Sequence, residues 1–314
     1  MEHQTQQEQL ARIAESHVNV GQFAGRLGGN GGGILPDTDS SKELLERVPD
    51  AAPLMTFAQQ FDLRPFRTPE LWKAALMEGV GTTMFVWITI YSNSSPLTEP
   101  YGPTAQLGVF NTASFLGPLV GSFLIFVYLT LFIFCFGGVT GAHLNPTLTF
   151  ATFFARLSSF PRTVLYVAFQ TAGGALGGVL ARLSIGTRDF KAGGCYLFPD
   201  QIDTGDAFVI EFMATLLLLF FAFGVGIDPR QREIVGPTLG PFLVGMAVGS
   251  VSLGSAFARV GFGGASTNPA RCFGVFVGSH FPRWHWINWI ADIAAGIVHA
   301  VFYHIVPPWN TAPQ

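Results

Sequence analysis

Long apolar runs separated by short polar links set the pattern of this chain from residue 70 onward. Six runs, at about 70–91, 114–136, 162–184, 206–227, 234–257 and 285–306, each approach the roughly 20 residues that cross a bilayer as a helix. The first has a clear start signal: Thr68 as N-cap, Pro69 at the first helical position and Glu70 after it. Ahead of it, residues 1–68 are polar and broken by Gly-Gly-Asn-Gly-Gly-Gly at 28–33, which predicts a mostly disordered tail. Residues 307–314 form a short C-terminal tail. The pattern predicts an all-α membrane protein with one domain over 69–306.

Two links are not ordinary loops. Gly141-Ala142-His143-Leu144-Asn145-Pro146-Thr147 is followed by an apolar stretch to Phe154, and Gly264-Ala265-Ser266-Thr267-Asn268-Pro269-Ala270-Arg271 by one to Val277. Each stretch is too short to span. Each opens with Asn as a cap and Pro at the first helical position, where no N–H is needed. They predict two half-helices. Glu78 and Thr82 in the first span are matched by Glu211 and Thr215 in the fourth, each pair preceding its own Asn-Pro motif. Residues 70–200 and 205–306 therefore read as two repeats. With three spans per repeat the second enters from the opposite side, and paired interrupted segments in such halves mark a solute path.

Composition fits this picture. Charged residues make up 12% of the 314 residues and hydrophobic ones 49%, so much of the surface must face lipid. A net charge of −3 gives no hint of nucleic acid, and three cysteines do not suggest a disulfide framework. The polar N-terminus shows no cleavable signal peptide. Arg64, Arg67, Lys73, Arg156, Arg162, Arg230 and Arg232 flank one side of the spans, whereas 92–113 holds no Lys or Arg. The excess of basic residues places both termini in the cytoplasm, with Arg188 and Lys191 as a weak violation outside. The sequon Asn93-Ser94-Ser95 lies too near the membrane to be expected in use. No nucleophile–base set, metal cluster or phosphate loop is visible, so no enzyme, cofactor or metal is expected.

Two half-helices entering from opposite faces would meet by their N-termini, which carry partial positive charge and unsatisfied N–H groups. Asn145 and Asn268 would present amide donors there, and a cation would meet positive ends from both sides. Glu78 and Glu211 lie in apolar spans and need partners. Each is expected to brace the loop of its own half, with His143 as a further brace, although Glu78 near an interface reaching water is a second reading. Arg271 is expected in the outer half of the pore, with an ion pair to loop acids as its alternative. Gly173, Gly174, Gly177 and Gly178 allow close helix crossing.

With these residues in view, the chain resembles the aquaporin and glycerol-facilitator (major intrinsic protein) family over residues 70–306. Gly-Ala-His-Leu-Asn-Pro-Thr, Asn-Pro-Ala-Arg-Cys and the paired Glu residues carry the resemblance. Within the family it looks most like the X-intrinsic-protein subfamily, through Cys272, Gly193-Gly194-Cys195 and Thr147. The resemblance implies six spanning helices plus two half-helices, a homotetramer, a plasma-membrane location and no cofactor. Its pore junction would be Asn145, Pro146, Thr147, Asn268, Pro269 and Ala270. Its outer constriction would be Ile125, Ala265, Arg271 and either Ser255 or Ala256, a ring wider and less polar than that of water-selective members. Glycerol, urea, boric acid and hydrogen peroxide are then expected to pass beside water. A secondary transporter, or a membrane protein with a closed pore, are the rival readings.

Departures from the family pattern add questions. Thr147 brings a hydroxyl to the junction. Trp289 looks like the water-channel pattern, and Cys272 stands where glycerol channels have Asp. Asp292 lies inside span six, where a tie to His299 or a neighbouring helix is expected. Cys195 and Cys272 are both expected on the outer side; a disulfide, mercurial sensitivity or packing are open, with packing expected for Cys272. Ser158, Ser159 and Thr68 follow arginines and are candidate phosphorylation sites for gating.

Overall fold

The computed structural model describes residues 55–96, 116–228 and 232–305. Residues 1–54 and 306–314, which hold most of the predicted N-terminal tail and the C-terminal tail, lie outside the described residues. Six long helices are α2 (Pro69–Asn93), α3 (Leu116–Phe136), α5 (Phe160–Ile185), α6 (Thr204–Ala222), α7 (Arg232–Ser255) and α9 (Ile287–Ile305). Two short ones are α4 (Pro146–Phe154) and α8 (Pro269–Gly278). A four-residue helix α1 (Phe57–Gln60) and a 3-10 turn at Arg64–Arg67 precede them. The last turn of α6 widens into a π-helical turn over Phe223–Ile227. All predicted spans are thus helices, with ends moved by a few residues.

Among the described residues, five helices are long and apolar enough to cross a membrane, and α9 is not one of them. Its apolar run is diluted by Asn288, Asp292, His299 and His304. Large apolar side chains stay exposed along the spans, including Phe123, Leu131, Leu183, Val209 and Val301. Such a surface suits lipid.

Glycines let the backbones touch. A Cβ at Gly173 would collide with the carbonyl oxygen of Gly79, and one at Gly177 would lie 2.6 Å from that of Thr83, both on α2. One residue on, about 100° round α5, Gly174 and Gly178 face the carbonyl oxygens of Ala270 and Gly274 on α8 in the same way. The stripe therefore has two faces, one for a spanning helix and one for a half-helix.

Two expectations change at the N-terminal side. Thr68 takes the N-cap position of α2, but its side chain makes no capping hydrogen bond. Residues 55–67 are folded rather than disordered. Met55 is fully buried, its N–H donates to the Arg156 carbonyl at 3.0 Å, and the Arg156 guanidinium donates back to the Met55 carbonyl. Gln60 Nε2 donates to the carbonyl of Phe153 at 2.6 Å, near the end of α4, where the same carbonyl accepts the Arg156 N–H at 2.9 Å. Thr56 and Gln59 form a capping box that starts α1.

Outside the helices, a two-stranded antiparallel pair joins β1 (Ser94–Pro96) to β2 (Phe190–Ala192), with Ser94 opposite Ala192.

Candidate functional site

The loop leading into α4 is shaped by one carboxylate. Glu78 on α2, fully buried, accepts from Thr140 Oγ1 at 2.5 Å and from the His143 and Leu144 N–H groups at 3.1 and 2.7 Å. Gln170 Nε2 on α5 adds a fourth donor at 2.8 Å. The water-facing alternative for Glu78 does not hold. Glu211 on α6 does the same for the second loop, accepting from the N–H groups of Ser266 at 3.0 Å and Thr267 at 2.9 Å. The backbone explains the need. Leu144 and Thr267, each just before its Asn, have φ of +49° and +55°, a conformation that L-residues adopt only at some cost. The buried carboxylates hold it in place.

Both Asn residues then cap their half-helices. Asn145 Oδ1 accepts from the Thr147 N–H at 2.8 Å, and Asn268 Oδ1 accepts from the Arg271 N–H at 3.1 Å. Each amide also crosses to the other loop. Asn145 Nδ2 donates to the Thr267 carbonyl at 2.8 Å, and Asn268 Nδ2 donates to the Leu144 carbonyl at 3.0 Å. An amide nitrogen carries two hydrogens, so each Asn keeps one for a visitor. Pro146 and Pro269 open the two helices, with Thr147 and Ala270 next in line. His143 is buried, with Nδ1 3.1 Å from Thr149 Oγ1, and so steadies α4 from its loop.

A cavity of about 30 Å³ sits at this meeting point. Its polar wall includes Asn145, Asn268, Ser252 and Arg271, and its apolar wall includes Phe85, Ile125, Leu129 and Val248. Ala265 completes the ring. A water molecule needs about 10–15 Å³ by this measure, so the space is large enough to hold one. Outside it opens a vestibule of about 550 Å³ lined by Ser92, Lys191, Tyr196, Ser252 and Ala256, among others.

Ile125, Ala265 and Arg271 are thus brought together as the spacing predicts. The two span-five candidates part company. Ser255 Oγ accepts from the Ala265 N–H at 2.9 Å and serves the loop, whereas Ala256 lines the vestibule. Ser252 lines both spaces and was missed by spacing from the motif. The signal was the helical period: 252 and 256 lie one turn apart on one face.

Arg271 is 3% exposed and its donors meet neutral acceptors. Nη2 donates to the Gly193 carbonyl at 2.8 Å, Nη1 lies 3.2 Å from Cys195 Sγ, and Nε is 3.3 Å from Thr89 Oγ1. The ion-pair alternative is replaced by these contacts. Cys195 and Cys272 form a disulfide across 77 residues, so packing is not the fate of Cys272. The bond fastens the Gly193–Cys195 turn beside Arg271. Breaking it by Cys195→Ser is expected to lower thermal stability by roughly 2–4 kcal/mol, as measured by thermal denaturation. An unchanged melting temperature would show that the Gly193–Cys195 turn needs no tether.

Asp292 does not meet His299. It accepts from Thr147 Oγ1 at 2.8 Å and Thr215 Oγ1 at 2.7 Å, while His299 packs among Phe220, Phe223 and Tyr303. Ser158 and Ser159 are buried, so phosphorylation there requires the link after α4 to open.

A model of the family described as "Major intrinsic protein" matches residues 65–303. The chain belongs to that family. Among its relatives, a PIP-type aquaporin of Atriplex canescens is 30% identical over 252 residues, covering 78% of this chain and 84% of that one. Aquaporin PIP2-1 of Arabidopsis thaliana is 30% identical over 244 residues, covering 74% and 80%. The aquaglyceroporin of Plasmodium falciparum shares the fold at a TM-score of 0.54 and 19% identity, over 75% of this chain and 96% of that structure. In this major intrinsic protein two half-helices and one arginine converge on a narrow cavity, while Glu78 and Glu211 stand behind it and hold the loops that form its wall.

Proposed function

We propose that this major intrinsic protein is a passive channel for water and small neutral solutes, among them glycerol, urea, boric acid and hydrogen peroxide, and that it excludes protons and ions. The carrying observation is the single cavity into which Asn145, Asn268 and Arg271 all reach. Its polar wall can donate to a hydroxyl or carbonyl while Phe85, Ile125 and Val248 meet the carbon side of the same molecule. Ile125 and Ala265 are less bulky than aromatic and imidazole side chains would be, which supports a range of solutes beyond water. Two positive helix ends and a guanidinium oppose cations.

Basic residues on the α1 and α4 side support cytoplasmic termini. The disulfide at the other end suits an oxidising compartment. The relatives named as aquaporins support the water channel. The homotetramer, the plasma-membrane location and the X-intrinsic-protein assignment rest on the family resemblance.

Stopped-flow measurements on proteoliposomes test this reading. Both water and glycerol are expected to pass without saturation, and Ile125→Trp is expected to cut glycerol flux tenfold or more while sparing much of the water flux. Water flux with no glycerol uptake would remove the broad solute range. Saturation at low solute concentration would favour a transporter.

A further inference from the structure

Away from the pore, an apolar groove of about 680 Å³ opens on the surface of the bundle. It is lined by α5 from Phe160 to Ala172, by Phe150 and Phe154 of α4 and by Phe273 of α8, and Val164 and Ala168 are exposed along it. The helix from 160 to 172 rises about 18 Å, little more than half the roughly 30 Å apolar thickness of a bilayer. Phe160 opens α5, and Phe273 lies in the second turn of α8, close to where the half-helices meet. The groove therefore has the depth of one leaflet. Within a bilayer, a space lined in this way is filled by hydrocarbon rather than water.

The outer end of the groove carries the means to hold a headgroup. Phe61 stacks on Phe160 at 5.9 Å and meets Phe153 edge-on at 5.8 Å, and Phe66 meets Phe160 at 6.5 Å. Residues 57–67 thus lie across its mouth. Phe57, Phe61 and Leu63 are each more than half exposed, which suits the boundary between headgroups and acyl chains. Trp72, exposed and donating from Nε1 to the Phe66 carbonyl at 2.8 Å, is a ring of the kind found at that depth. In a 3-10 turn, side chains three residues apart eclipse, so Arg64 and Arg67 stand on one side, both exposed. Asp62 takes up part of the Arg64 charge at 2.7 Å. Glu70 is the other acid of this stretch, against Arg64, Arg67 and Lys73, and the balance is positive.

We propose that the groove and the basic turn at its mouth bind one anionic phospholipid of the cytoplasmic leaflet, with an acyl chain along α5 and the phosphate beside Arg64 and Arg67. The inference rests on the orientation proposed above and is independent of which solutes pass. The chain lies against the outer sides of α4 and α8, the two helices that bring Asn145, Asn268 and Arg271 to the cavity.

Native mass spectrometry tests this on the full chain in detergent, supplied with equal amounts of phosphatidylserine and phosphatidylcholine of the same acyl chains. The serine lipid is expected to be retained about fivefold over the choline lipid, the effect of roughly one uncompensated basic side chain at an anionic surface. Arg64→Gln/Arg67→Gln is expected to bring the ratio close to one. Val164→Trp, which fills the groove, is expected to reduce retention of both lipids several-fold. Glycerophosphoserine, the same headgroup without chains, is expected not to compete. Equal retention of the two lipids by the unaltered protein overturns the proposal, as does an unchanged ratio in the arginine variant or displacement by the chain-free headgroup. If Val164→Trp does not fold, Ala168→Leu narrows the same stretch and is read in the same way; unchanged retention in the folded groove variant also overturns the proposal. Lipid retention is read without flux, so its failure leaves the channel reading standing.

Discussion

Glu78→Ala is expected to leave little correctly folded protein. The substitution withdraws the acceptor from four donors at once: the Thr140 hydroxyl, the His143 and Leu144 N–H groups and the Gln170 amide. All lie where water cannot replace it, and loss of one partner from a buried charged network costs about 3–5 kcal/mol. That is comparable to much of the stability of an ordinary domain. Leu144 would also lose the bond that secures its positive φ, and the Asn268 amide would lose a fixed carbonyl. Size-exclusion profiles of a fluorescent fusion in detergent check this. Glu78→Gln keeps one oxygen acceptor and is expected to retain an intermediate fraction. A normal profile for Glu78→Ala would mean that the loop is held by its own packing.

Gly178→Val is expected to prevent α5 and α8 from closing. The added carbons would occupy the place of the Gly274 carbonyl, a backbone atom that cannot rotate away. Overpacking of an ordinary core costs about 1–3 kcal/mol because side chains move aside; here a whole half-helix has to retreat. Since α8 carries Arg271 and Asn268, any folded remainder is expected to conduct abnormally. Gly178→Ala should be milder yet still harmful. Gly205→Ala is the control, because a Cβ there meets nothing within 4 Å. Melting temperatures for the three variants rank these effects, and an unaffected Gly178→Val would refute the close crossing.

How much of this was legible in the sequence follows from the range of the forces involved. The half-helices were readable because Asn capping and proline at the first position act within one turn. Glu78 and Glu211 were readable because a carboxylate in an apolar run demands partners. The crossed amide bonds were not readable, since Asn145 and Thr267 are 122 residues apart and meet only in three dimensions. The disulfide has the same character. Asp292 drew attention as an intramembrane acid, and of its two expected ties the one to a neighbouring helix holds, through Thr147 and Thr215, while the one to His299 does not. The segment 55–67 escaped because its hold on α4 comes from one buried Met and one Gln amide, in a stretch whose composition otherwise resembles a linker.

The crossed amides also bear on biosynthesis. A ribosome delivers the Leu144–Asn145 loop long before Thr267 and Asn268 exist. The early loop finds its glutamate partner within the first repeat, but its carbonyl and amide take theirs from the second. Completion of the passage therefore coincides with insertion of the last third of the chain, and a truncated product is left without a finished, sealed pathway through the membrane.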